Sequence, residues 1–123
     1  MTDSIDRHLR KALRALNNGE MRKVKAACHA ALAVDSVNAD AMHLLGLVWR
    51  QEGNLEQSLH WLRKTVGANP SFAGAWYNLA DTLVGVGDFD DAENAYLQAL
   101  DLARGAKKGQ AFTLYPLTAT FAP

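Results

Sequence analysis

The chain has too little cysteine to be held together by disulfides: of its 123 residues only Cys28 carries a thiol. No internal bridge can form, so folding does not depend on an oxidising compartment. No stretch approaches the roughly 18 consecutive apolar residues of a membrane span. The opening residues, Met1-Thr2-Asp3-Ser4-Ile5-Asp6-Arg7, lack the apolar centre of a secretory leader. A soluble, cytoplasmic protein is the expectation these absences leave. Net charge is missing too. Thirteen basic residues balance 13 acidic ones, which argues against a uniformly basic nucleic-acid surface. Proline is scarce, and the two internal ones, Pro70 and Pro116, sit where helical patterning stops.

Catalytic sets are also absent. Cys28 and His29 are neighbours, but neighbours on a helix point about 100° apart and form no thiolate–imidazolium pair. His8, His29, His43 and His60 fall on four separate segments with no partner at metal-ligand spacing, so neither a metal nor another cofactor is expected. Asp88, Asp90, Asp91 and Glu93 lack the oxygen-ligand order of a calcium loop and suit the N-terminus of a helix. The sequence predicts a non-enzymatic protein.

What is present is an apolar fraction of 49%, enough for one globular core, and a period. Gly19, Gly53 and Gly87 recur every 34 residues, each followed by a polar helix starter, Glu20, Asn54 or Asp88. Between them apolar residues return at helical spacing. Ile5, Leu9, Ala12, Leu13 and Leu16 mark a first helix, and Val24, Ala27, Cys28, Ala31 and Leu32 a second. Met42, Leu45, Gly46 and Trp49 mark a third; Leu55, Leu59, Leu62 and Val66 a fourth, ended by Asn69-Pro70. Trp76, Leu79, Ala80 and Leu83 mark a fifth, and Phe89, Ala92, Tyr96, Ala99 and Leu100 a sixth. A shift of 34 superposes small on small (Ala12, Gly46, Ala80; Ala31, Thr65, Ala99) and bulky on bulky (Met21, Leu55, Phe89). Small residues let helix backbones approach, and the bulky ones fill the space beside them.

The unit from Met42 to Pro70, with Leu45-Gly46, Trp49, Gly53, Ser58, Leu62, Thr65 and Pro70, resembles the tetratricopeptide repeat, as does that from Trp76 to Leu102, with Leu79-Ala80, Gly87, Ala92, Tyr96 and Ala99. The resemblance covers residues 5–106 and implies an all-α, right-handed α-solenoid of three helix-turn-helix repeats, at about 5–38, 39–72 and 73–106. Met42, Ser58 and Arg104 depart from the family pattern; with no proline at 104, the last helix is free to continue past it.

The family's function implies a protein-interaction scaffold that binds a partner segment in a concave groove lined by the first helix of each pair. In this register the groove positions are Leu9, Leu13 and Leu16, then His43, Leu47 and Arg50, then Tyr77, Asn78, Asp81 and Val84. His43, Leu47, Arg50, Tyr77, Asn78 and Asp81 are the expected partner-binding residues. A carboxylate clamp for chaperone C-termini would need Lys, Asn and Arg where Leu9, Leu13, Leu44, Gly74 and Asn78 stand. An asparagine ladder would need Asn at Arg10, Leu44 and Asn78. Neither pattern is complete.

Residues 107–123 are of another kind, an irregular apolar tail in which Pro116 interrupts any amphipathic helix. They are apolar enough to dock in a groove or on the last helix. Residues 1–38 carry seven Lys/Arg against four Asp/Glu, whereas 73–106 carry one against six. Two readings stay open: both ends are solvated, or the basic end of one molecule meets the acidic end of another in a homo-oligomer. A repeat domain of a larger enzyme, such as a glycosyl- or sulfotransferase, is the alternative function. A nucleic-acid role ranks below both, since the basic cluster lacks interleaved aromatics.

Overall fold

The computed structural model describes residues 2–106, and over that span the chain is six helices: α1 (Thr2–Asn17), α2 (Met21–Val34), α3 (Ala39–Gln51), α4 (Leu55–Ala68), α5 (Ala73–Gly85) and α6 (Phe89–Ala106). No strand occurs among the described residues. The expected irregular tail at 107–123 lies outside them.

The period of 34 has a local cause. Gly19, Gly53 and Gly87 all adopt positive φ, +73°, +83° and +84°, a region that costs glycine nothing and other residues a steric penalty. Each turn then closes alike: Glu20, Asn54 and Asp88 donate their backbone N–H groups to the carbonyls of Ala15, Trp49 and Leu83, all at 2.9 Å. This satisfies a carbonyl left over at the end of the preceding helix. Side chains start two of the helices: Asn38 Oδ1 accepts from the Ala41 N–H at 2.9 Å at the start of α3, and Asn54 Oδ1 from that of Gln57 at 3.1 Å at the start of α4. α6 has 18 residues where α4 has 14, because Arg104 stands where Pro70 follows α4.

Helices pack in sequence order, each antiparallel pair against the next. α1 also touches α3 and α3 touches α5, while α2, α4 and α6 meet one another at most marginally. The first helices therefore line the inner side of a curve. One cluster gathers Ala12, Leu16, Val24, Cys28, Leu45 and Val48 from α1, α2 and α3, and a second gathers Leu62, Val66, Leu79, Ala80, Leu83 and Ala92 from α4, α5 and α6.

The small-residue register corresponds to close contact: Ala12, Gly46 and Ala80 are all buried. A methyl group on Gly46 would fall 2.7 Å from Leu62 Cγ and 2.8 Å from its Cδ2. Gly67, near the end of α4, has nothing within 4 Å of such a methyl. Opposite signs follow for one substitution. Gly67→Ala should raise stability by about 0.5 kcal/mol through helix propensity. Gly46→Ala should lower it by about 1–2 kcal/mol, overpacking outweighing the same gain. Urea titration of the two variants checks both.

The bulky register holds at two places of three. Met21 packs on the first cluster, and Leu55 Cδ1 comes within 3.1 Å of a methyl placed on Gly85. Phe89, expected to pack likewise, is 65% exposed. Its counterparts are covered by the first helix of the following pair, and no described helix follows α6.

Candidate functional site

The inner face is best formed between α3 and α5. Arg50, in the last turn of α3, reaches across to α5, where its Nη1 donates to the Asn78 carbonyl at 3.4 Å and lies 3.9 Å from Asp81 Oδ2. Asp81 in turn accepts the hydroxyl hydrogen of Tyr96 from α6. Tyr96 meets Tyr77 edge to face, ring centroids 5.6 Å apart. Arg50, Tyr77, Asp81 and Tyr96 are thus one half-buried cluster of a cation, an anion and two phenol rings. Burial pulls the Arg50 guanidinium down and Asp81 pushes it back up. Burial, then the bond to Asp81, raises the Tyr96 phenol. Among the described residues Arg50 makes one hydrogen bond, to a backbone oxygen, and a long pair with Asp81, which together use few of its five donors.

Below this cluster lies a polar layer that the sequence reading placed on the surface. His43, Leu47 and Asn78 have no exposed area, so three of the six expected groove residues form the floor and do not face solvent. The cause is the contact of α3 with α5, which encloses Leu47 and Asn78 about one helical turn, and His43 about two turns, before Arg50 and Asp81. Asn78 Nδ2 is 3.0 Å from His43 Nε2, and the His43 ring packs edge to face on Phe72 at 4.6 Å. With the amide donating, Nε2 accepts and the ring proton sits on Nδ1. Nδ1 and Asn78 Oδ1 then have no partner among the described residues. Burial, with Arg50 nearby, depresses His43 to about 3, so the ring is neutral near pH 7. Thr82 Oγ donates to the Asn78 carbonyl at 2.8 Å and lies 3.5 Å from the Ser58 hydroxyl. Among the other groove positions, Leu16 is buried, Leu9 is half-buried, and Leu13 and Val84 are each 42% exposed.

Tyr96 shares its register place with the apolar Leu62 and Cys28, and helical spacing alone makes it one more packing residue of α6. The usable signal was its hydroxyl, at a place where the other two repeats carry no oxygen. Cys28 is fully buried and its thiol is pushed up to about 12 by burial, an inert packing residue. Among the described residues no group of three His, Cys, Asp or Glu side chains could hold a metal, and no helix is long and apolar enough to cross a membrane. On the outer side, a cavity of about 580 Å³ opens between α4 and α6 above Val66, Trp76, Leu79 and Leu83.

Two family models described as tetratricopeptide repeat match the chain, one over residues 9–73 and one over 73–106. The chain belongs to the tetratricopeptide repeat family. Tetratricopeptide repeats form protein-interaction scaffolds, and the fold is typically non-catalytic. No curated protein matches this one. Among solved structures it is similar to a mutant of Thermobaculum terrenum O-GlcNAc transferase, at 30% identity and a TM-score of 0.79 over 84% of this chain and 20% of that one. A crystal structure of MamA is 25% identical, with a TM-score of 0.79 over 88% of this chain and 63% of that one. The Yersinia enterocolitica type III secretion translocator chaperone SycD is 14% identical, with the same TM-score over 98% and 83%, and shows the tetratricopeptide fold alone. The chain spans a fifth of the transferase's length and just under two thirds of MamA's.

Proposed function

We propose that this tetratricopeptide repeat domain is a non-enzymatic scaffold that binds a segment of a partner protein on its inner face. Arg50, Tyr77, Asp81 and Tyr96 make the contact, over a floor of His43, Leu47 and Asn78. The observation that carries this reading is the unspent hydrogen-bonding capacity of Arg50. Among the described residues it is a half-buried cation held by a long ion pair and one backbone carbonyl, beside two aromatic rings that supply area at low entropic cost. Replacing Arg50 and Tyr77 together by alanine should weaken capture of the native partner at least about tenfold, with the thermal midpoint little changed. Unaltered affinity in the folded double variant would remove the inner face from the function.

A second reading draws on the transferase likeness, in which the repeats match a fifth of an enzyme. The chain then serves as the recruiting domain of a larger enzyme. The length of the native open reading frame decides it: an in-frame catalytic region supports this reading and its absence removes it.

A further inference from the structure

The outer cavity between α4 and α6 has a counterpart one repeat earlier, between α2 and α4, and the two are finished differently. A shift of 34 residues pairs Leu32 with Val66 and Leu45 with Leu79, so their floors are alike. Over the first floor lies Trp61 of α4, which packs on the first core cluster and meets the His29 ring of α2 edge to face at 5.8 Å. Lys64 Nζ sits 5.0 Å from the centre of the same indole. In the third repeat the place of Trp61 belongs to Ala95, which is buried and supplies only a methyl group. The cavity of about 580 Å³ thus opens where the second repeat holds an indole of its own.

The walls of this cavity are already in place. Trp76 Nε1 donates to the Pro70 carbonyl at 2.8 Å, which anchors the Trp76 indole beside Val66, Leu79 and Leu83. The mouth is polar, with Arg63 on α4 and Asp91, Asn94 and Gln98 on α6. An apolar floor under a few polar groups is the composition of a binding pocket. Arg63 stands in the place of His29, the residue that meets Trp61. It is exposed, and among the described residues it has no carboxylate within ion-pair distance. From Asp91 to Gln98 the α6 wall rises about 10 Å, two helical turns. That is more than one ring occupies, so the peptide groups on either side of a seated ring also lie in the cleft. Asp91, Asn94 and Gln98 offer oxygens to their N–H groups, and Arg63 offers a guanidinium fork to a carboxylate.

We propose that the outer cleft between α4 and α6 receives an aromatic side chain from an acidic segment of a partner protein. The ring takes the position over Val66 and Leu79 that Trp61 fills over Leu32 and Leu45, and a carboxylate next to it in the segment pairs with Arg63. The proposal does not rest on the inner-face reading, because the cleft shares no residue with the cluster around Arg50.

Titrating the full chain with a blocked tripeptide, tryptophan between two aspartates, and following backbone amide NMR shifts tests it. Saturable shifts are expected at Val66, Gly67, Ala95 and Gln98, with binding at least about tenfold weaker when alanine replaces the peptide's tryptophan. Ala95→Trp lets the chain fill the cleft as Trp61 fills its counterpart, and should abolish these shifts without lowering the thermal midpoint. Arg63→Gln changes an exposed residue, leaves the fold intact, and should weaken binding about threefold. Undiminished binding to either folded variant, shifts centred on Tyr77 and Asp81, or no saturation at millimolar peptide would each overturn the proposal. Equally tight binding of N-acetyltryptophanamide, which carries no carboxylate, would assign the cleft to a small aromatic molecule and overturn it too.

Discussion

Lowering the pH from 7 to 4 should remove roughly 3 kcal/mol of stability through His43 alone. Burial, with Arg50 adding to it, holds this ring at about 3 in the folded protein against an ordinary value of 6.5. The unfolded chain therefore takes up a proton near pH 6.5 that the folded chain refuses until about pH 3. The contribution is complete above pH 6.5, falls by about 1.4 kcal/mol per unit below it, and levels off near the folded value. Other groups titrate in the same window, so the measurement is a difference. His43→Leu alone should cost about 1–3 kcal/mol at pH 7, because Asn78 loses its partner in a buried place. His43→Leu with Asn78→Leu removes both partners. Leucine already occupies the corresponding places in neighbouring repeats, at Leu9 and Leu44. The double variant should be near wild-type stability at pH 7 and more stable at pH 4. Denaturant titrations at the two pH values check this, and parallel losses in both proteins would show that His43 does not set the acid response.

Leu62→Ala is expected to cost about 3–5 kcal/mol, a large fraction of the 5–15 kcal/mol that such domains possess. Leu62 is fully buried between α3 and α5: it fills the space above Gly46 on α3 and joins Val66, Leu79 and Leu83 in the cluster under α5. In a solenoid, stability passes between neighbours, so the loss should fall on the junction of repeats two and three and broaden the unfolding transition. Leu97→Ala, at a residue 54% exposed, should change stability by less than about 0.5 kcal/mol. Adding Gly46→Ala to Leu62→Ala should cost less than the sum of the two, because the new methyl enters the space that Leu62 vacated. Additive losses would mean that the contact between α3 and α4 relaxes independently of Leu62.

The architecture was legible because it rests on local rules. Glycine at positive φ closes each turn, Asn38 and Asn54 start helices, and a period of 34 repeats both. The inner face was legible only in part. Register offered six residues of α3 and α5 to the groove, and of these the fold leaves Arg50, Tyr77 and Asp81 half-buried. The other three, His43, Leu47 and Asn78, it buries. Helical periodicity gives the direction of a side chain around its own axis and not the distance to the next helix. The packing of α3 against α5 sets that distance, and the packing of α6 on α5 brings Tyr96 to Asp81.

By itself the sequence determined the number of helices, their pairing and the small and bulky places at which they meet, since these follow from backbone and side-chain rules acting within about one repeat. Tertiary structure alone decided which polar residues on the inner face are reachable and which are floor. It also decided that Arg7, Arg10, Lys11 and Arg14 on α1 and Phe89 and Leu100 on α6 are exposed among the described residues. The reason is common to both: burial belongs to the space between helices, and that space exists only once the repeats have stacked.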